Sequence, residues 1–222
     1  MKKDYKAALI DMDGVLFDTM PHHARAWQQM MAELGILRSY DEFFLYEGMT
    51  GAATIRKIYK EVFPDRPELS DEYVTRLYAR KSELFNRHGS KDPMPGADRM
   101  FAAFKRQGVK RVLVTGSGQA SILDQIEAVY PGAFEPGMRI TSHDVKHGKP
   151  DPEPYLKGLE LAGVSADEAI VVENAPLGVR AGKAAGIYTV ALMTGPIPRE
   201  AFEAEGADLI LPSMAEFADM LG

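Results

Sequence analysis

The chain has 222 residues, 45% hydrophobic and 26% charged, with a formal net charge of −6 and no cysteine. That is enough apolar sequence for one sizeable core carrying a smaller insertion. The acidic balance argues against a nucleic-acid or anionic-membrane partner, and the missing cysteines exclude a disulfide framework and thiolate metal or redox chemistry. No apolar run approaches the ~18 residues that a membrane span needs, and the first six residues carry no signal-peptide pattern. A monomeric cytoplasmic enzyme is the expectation.

In chain order, Ala7-Ala8-Leu9-Ile10 is an apolar run of buried-strand length. It delivers Asp11 and Asp13, which share a face of an extended segment, and Gly14 lets the chain turn behind them. From Thr19 the period becomes helical. Trp27, Met30, Met31 and Leu34 recur at helical spacing until Gly35. A second helix is expected from about Ala52 to Pro64, with Ile55, Ile58, Tyr59 and Val62 on one face. A third opens at Ser70 as N-cap and carries Val74, Leu77, Tyr78, Leu84 and Phe85 to His88-Gly89. Asp92-Pro93-Met94-Pro95-Gly96 then marks a return.

Beyond it, strands and helices alternate. A helix through Ala97, Met100, Phe101 and Phe104 ends at Gly108, and Val112-Leu113-Val114-Thr115 is a strand. Ser121 to Tyr130 is helical, Arg139-Ile140-Thr141 a short strand, Pro154 to Ala162 a helix, and Ala169 to Glu173 a strand. A small-residue helix from Leu177 to Ala185 follows, then strands at Tyr188–Leu192 and Asp208–Leu211, and a last helix with capping-box spacing at Ser213. Strands separated by helices predict a parallel, doubly wound, Rossmann-like α/β sheet. The helical block interrupts it after the first strand. The expected division is a core of residues 1–17 and 93–222 and an inserted helical cap of residues 18–92.

Sites in such sheets lie beyond the carboxyl ends of the strands. Asp11 and Asp13 finish the first strand, Thr115 the second and Glu173-Asn174 a later one, while Lys149 stands in Gly148-Lys149-Pro150-Asp151-Pro152. Singly, each has a bland explanation as a turn, cap or solvated charge. Together they fit one site for a phosphoryl group and a divalent cation. A phosphoryl group repels nucleophiles, so positioning and neutralisation carry most of the catalysis. In that scheme Asp11 attacks phosphorus, and Asp13 protonates the leaving oxygen and later deprotonates the hydrolytic water. Mg2+, a hard cation, bridges Asp11, the Asp13 main-chain carbonyl and Glu173 or Asn174. Lys149 offsets charge, and Thr115 with the backbone of Gly116 and Ser117 cradles the phosphoryl oxygens.

The string from Ala7 to Thr19, with Thr115, Lys149 and Glu173, resembles the motifs of the haloacid dehalogenase (HAD) phosphohydrolases. The full chain is similar to their β-phosphoglucomutase-like branch, whose fold is this core with a helical cap. The resemblance implies the same roles for Asp11, Asp13, Thr115 and Lys149, and places His23, from the hinge-and-cap segment Met20 to Trp27, near the site. Two features depart from the branch. The last motif reads Glu173-Asn174-Ala175 where two acids are usual, which removes one negative charge from the metal site. In the cap loop Tyr46 to Ala52, Gly51 and Ala52 stand where the mutases carry an arginine for a second phosphate, and Glu47 stands where a basic residue is common. A carboxylate there repels a substrate phosphate unless a cation intervenes.

This combination resembles the pyrophosphate-hydrolysing members of the branch, in which a cap glutamate aligned with Glu47 contributes to the site. The expected activity is therefore Mg2+-dependent hydrolysis of inorganic pyrophosphate. The alternatives are a sugar-phosphate phosphatase or β-phosphoglucomutase and, from another class, a catalytically silent phosphate-binding protein. Retention of both Asp11 and Asp13 argues against the last. Closure of the cap about linkers near Phe17–Thr19 and Asp92–Gly96 is expected to exclude water.

Overall fold

The computed structural model describes residues 4–88, 92–118 and 125–222. Gln119 and the first part of the helix expected at Ser121 to Tyr130 lie outside the described residues. The described strands are β1 (Ala7–Ile10), β2 (Lys110–Val114), β3 (Arg139–Ile140), β4 (Ala169–Glu173), β5 (Tyr188–Leu192) and β6 (Leu209–Leu211). All pair in parallel, in the order β3-β2-β1-β4-β5-β6. The order reverses at β1, so the carboxyl ends of β1 and its neighbours β2 and β4 face the crevice where such sheets bind ligands.

Both faces of the sheet are covered, as an all-parallel sheet requires. Successive β1 side chains divide between them. Ala7 and Leu9 pack with Tyr155, Leu159 and Ala181 on one side. Ala8 and Ile10 pack with Phe104 and Phe217 on the other. Among the described residues, helix α4 (Ala97–Arg106) precedes β2, and α5 (Gln125–Val129) and α6 (Glu153–Ala162) follow β2 and β3. Helix α7 (Pro176–Ala184) follows β4, α8 (Arg199–Ala204) follows β5, and α9 (Met214–Leu221) closes the chain. The α6 helix, Tyr155 included, lies behind β1 and β2. Ser213 caps α9, its hydroxyl accepting from Glu216 N at 3.2 Å.

Between β1 and α4 the regular elements among the described residues are helical. They form α1 (Met20–Glu33), a 3-10 turn over Asp41–Tyr46, α2 (Gly51–Val62) and α3 (Asp71–His88). Thr50 caps α2 by accepting from Ala53 N at 3.3 Å, and Ser70 accepts from Tyr73 N at 3.3 Å at the start of α3. The apolar stripe expected on α3 packs against α1 and α2. The two chain crossings between this block and the sheet are bonded to each other. Asp18 N donates to Asp92 O at 2.9 Å, and Met94 N donates to Leu16 O at 2.8 Å. Three described elements were absent from the sequence expectation: the 3-10 turn before the Glu47 loop, a second over Ala166–Glu168 and the six-residue α8. No helix among the described residues is long and apolar enough to cross a membrane.

Candidate active site

Asp11 is the first residue beyond β1, anchored by its N–H to Val172 O at 3.0 Å. Its Oδ1 accepts from Lys149 Nζ at 2.7 Å. The same ammonium donates to Val114 O at 3.0 Å and to Glu173 Oε1 at 2.6 Å. Lys149 and Glu173 are 1% and 0% exposed, so this is a buried, fully partnered ion cluster. Tyr155 on α6 donates its hydroxyl to Glu173 Oε1 at 2.8 Å. Glu173 Oε2 accepts from Asn174 N and Ala175 N at 2.9 and 3.1 Å. Both Glu173 oxygens are thus occupied by groups of the core, and the carboxylate stands behind Asp11. Asn174 faces the cavity, and its Nδ2 is buried without a hydrogen-bond partner. A side chain on Gly14 would strike that amide, because a Cβ there would lie 1.9 Å from Nδ2.

Asp13 takes two partners from beyond the sheet. Thr19 Oγ1 donates to its Oδ1 at 2.5 Å, and His23 Nε2 lies 3.0 Å from the same oxygen. His23 Nδ1 in turn contacts Lys81 Nζ, which comes from α3. A lysine ammonium only donates, so this contact assigns the ring as neutral with its proton on Nε2, facing Asp13. Lys81 is 2% exposed and lies 4.9 Å from the Trp27 ring centroid and 5.3 Å from that of Phe85.

These groups meet in one cavity of about 40 Å3. Asp11, Asp13, Thr115, Gly116, Ser117 and Asn174 line it from the sheet side, and His23, Trp27, Glu47, Tyr78 and Lys81 from the helical side. Every residue singled out from the sequence is in or directly behind it. Thr115 is buried and its hydroxyl accepts from Ser117 N at 3.0 Å, curling the loop after β2. Tyr78 reaches that loop from α3, where its hydroxyl accepts from Gly118 N at 3.4 Å and bonds Ser117. Glu47 is partly exposed, yet its Oε1 is sealed from solvent and has no partner.

The electrostatics follow from burial. Desolvation, with Glu173 and Asp13 nearby, pushes Asp11 up to about 7 despite Lys149. Burial works against the Lys149 charge, but Asp11 and Glu173 outweigh it and raise its pKa. For Asp13 burial is also opposed, here by His23, Thr19 and Lys81, and the carboxylate is held below its usual range. Burial and Lys81 lower His23. Desolvation pushes Glu47 up to about 8 and Lys81 down to about 8, each tempered by the other.

Lys81, Tyr78 and Tyr155 were not recognised as functional in the sequence. One signal for Lys81 was present: it falls on the apolar stripe of α3, between Leu77 and Leu84-Phe85, where a lysine is out of place. Tyr78 was assigned to that stripe as core. Tyr155 carried no signal, since its role depends on α6 lying against β4's neighbour.

Comparison with known proteins agrees with this architecture. A family model for the haloacid dehalogenase-like hydrolases matches residues 5–186. A structure from Bacteroides vulgatus, provisionally named a β-phosphoglucomutase, superposes with a TM-score of 0.92 at 42% identity, covering 97% of this chain and 87% of that one. Hexitol phosphatase A of Escherichia coli is 29% identical over 95% of this chain and 92% of its own. Glycerol-1-phosphate phosphohydrolase 2 of Saccharomyces cerevisiae is 32% identical over 92% of this chain and 81% of its own. None of these three is named for pyrophosphate. The chain belongs to the haloacid dehalogenase-like hydrolases, within their β-phosphoglucomutase-like branch.

Proposed function

We propose that the protein is a Mg2+-dependent phosphohydrolase acting through an aspartyl-phosphate on Asp11, with inorganic pyrophosphate as its substrate. The observation that carries the substrate is Glu47, a partly exposed residue that lines the cavity beside Asp11 and Asp13 and whose Oε1 is shielded and unpartnered. A carboxylate facing the phosphoryl group favours a small anion that arrives with its own cations over a bulky sugar phosphate.

The residues fit a hard cation. The Asp11 carboxylate, the Asp13 main-chain carbonyl and the Asn174 amide oxygen are the donors we assign to it. The unpartnered Asn174 amide is the supporting feature, because a half-turn about its last bond puts Oδ1 where Nδ2 stands. Glu173, whose oxygens are occupied, is assigned to holding Lys149. When bound, Mg2+ neutralises phosphoryl charge and orients the group. Lys149 holds Asp11 Oδ1, which leaves the other oxygen to attack phosphorus. The P–O bond to the leaving phosphate breaks as that oxygen takes a proton from Asp13, which is held ionised in the free site and enters the step carrying the proton of an incoming hydrogen pyrophosphate. Asp13 then takes a proton from water, the hydroxide attacks phosphorus, and Asp11 and phosphate are released. Thr115, Gly116 and Ser117 cradle the transferred group. His23 orients Asp13, and residues 18–92 act as a cap hinged at the bonded crossings near Leu16–Asp18 and Asp92–Met94. Equal particle dimensions in solution scattering with and without Mg2+ and phosphate would contradict that hinge.

A second reading, hydrolysis of a small polyol or sugar phosphate, is favoured by the names of the Escherichia coli and Saccharomyces cerevisiae relatives. A mutase is disfavoured by Gly51 and Ala52 in the cap loop. Phosphate release from pyrophosphate, glycerol 1-phosphate and hexose 6-phosphates, with Mg2+ and with chelator, separates the two. Pyrophosphate leading by orders of magnitude is the expected result, and a leading polyol or hexose phosphate establishes the second reading.

A further inference from the structure

The loop that carries Glu47 touches the core backbone to backbone. A Cβ added to Gly116 would lie 2.5 Å from Gly48 O and 2.8 Å from Met49 O. One added to Gly148 would lie 2.5 Å from Thr50 Cγ2 and 3.1 Å from Thr50 N. On the other side of the contact, Gly48 has φ +89°, and a Cβ there would meet Lys149 Cδ at 3.4 Å and Gly178 N at 3.6 Å. Non-bonded carbons settle at about 3.5–4.0 Å. The observed seating therefore requires the two core loops, one beside Thr115 and one beside Lys149, to present no side chain toward residues 48–50. A methyl at position 116 or 148 holds the loop off by about 1 Å.

The loop has little freedom to move sideways. Thr50 is tied to α2 through its hydroxyl, which accepts from Ala53 N at 3.3 Å. At the next position, a Cβ on Gly51 would lie 2.1 Å from the Tyr78 ring. Tyr78 itself bonds the loop after β2. Glu47 immediately precedes the contact, so how deeply residues 48–50 sit decides how far its carboxylate enters the cavity.

We infer that Gly116 and Gly148 are specificity-determining positions: their missing side chains let the cap loop seat fully, which shrinks the cavity and excludes substrates larger than a compact phosphate. This rests on the reading of residues 18–92 as a cap that closes over the core. It makes substrate size a property of two core glycines as much as of the cap loop.

Gly148→Ala is the variant to build, since Gly148 is outside the phosphoryl cradle and has no positive φ. Thr50→Ser is its partner, because it deletes Cγ2, the atom in closest conflict, and keeps the capping hydroxyl. A misplacement of about 1 Å costs up to about 10²-fold in rate. The expected result for Gly148→Ala is a loss of about tenfold or more in kcat/KM for pyrophosphate and a smaller loss for glycerol 1-phosphate. The double variant Thr50→Ser/Gly148→Ala should recover most of that loss. Trp27, the one tryptophan of the chain, lines the cavity and reports seating without turnover. With Mg2+ and inorganic phosphate present, acrylamide should quench it more in Gly148→Ala and return to the wild-type level in the double variant. Equal losses on both substrates with no rescue and unchanged quenching would overturn the inference and leave Gly148 acting only through the Lys149 loop. Rescue and quenching as expected, in a protein that does not hydrolyse pyrophosphate, would uphold the seating while overturning the substrate reading.

Discussion

The two halves of the site hold buried charge in opposite ways. On the sheet side Lys149 has three partners, and Glu173 has both oxygens taken, so the protein itself completes the cluster. On the helical side Glu47 has an oxygen without a partner, and Lys81 is pushed down toward neutrality among aromatic rings. A finished network suits chemistry that is the same for every substrate, because its groups need no reorganisation at the moment of reaction. An unfinished one suits recognition, because an arriving ligand supplies the missing partner. On the proposed function, the core makes and breaks the phosphoryl bond and residues 18–92 decide what is admitted.

The largest expected effect breaks the core half. Asp11→Asn removes the nucleophile and should lower phosphate release by about 10⁴-fold or more. A buried acid already raised to about 7 is replaced by its neutral isostere, so thermal stability at pH 7.5 should hold or rise. Circular dichroism melting with the activity assay checks both. Next, Lys149→Met leaves Asp11 and Glu173 as unpaired buried carboxylates and should cost about 3–5 kcal/mol in denaturant unfolding. Adding Glu173→Gln should recover part of the stability and none of the activity.

Asp11 and Glu173 were legible because each is a polar side chain ending an apolar run, and strand ends at a switch point are where a parallel sheet presents its site; Lys149, in a Gly/Pro loop, was legible only together with them. The apolar strings of β1, β4 and β5 were legible for the same reason, since a strand buried on both faces reads as continuous hydrophobic sequence. The cap half was harder. Lys81 sits in the charged run Arg80-Lys81-Ser82-Glu83, and only its place on the α3 stripe separates it from solvated neighbours. Tyr155 gains meaning only when α6 packs behind β1 and brings its hydroxyl to Glu173. Glu173 and Asn174 were interchangeable as metal ligands in the sequence, because the Lys149 and Tyr155 donors that occupy Glu173 Oε1 come from other segments. The turn at Asp41–Tyr46 and helix α8, six residues each, are too short to leave a period.

Smaller effects sharpen the cap half. Lys81→Met removes the contact that fixes the His23 tautomer, and should lower kcat by about 10–10²-fold by loosening the orientation of Asp13. His23→Asn should reproduce most of that loss, and the two together should cost little more than either alone. The smallest effect is on stability. In metal-free protein Glu47 and Asp11 titrate above their unfolded values while His23 and Lys81 titrate below theirs, so the folded state binds more protons than the unfolded one from pH 6.5 upward until the loss at Lys81, lowered to about 8, offsets the gain at Glu47. Stability must then fall as pH rises through that window. The expected drop in Tm is about 2–4 °C in chelator. Glu47→Gln should flatten the upper part of the decline, and a Tm that rises from pH 6.5 to 8 would contradict the assignment.

The division of labour is tested most directly by comparing Glu47→Gln with wild type on pyrophosphate and on glycerol 1-phosphate, both with saturating Mg2+. The account predicts a large loss of kcat/KM on pyrophosphate and a small change or a gain on glycerol 1-phosphate, while aspartyl-phosphate chemistry at Asp11 persists. Equal losses on both substrates would make Glu47 part of the common chemistry, and no loss on either would remove the cap carboxylate from substrate selection.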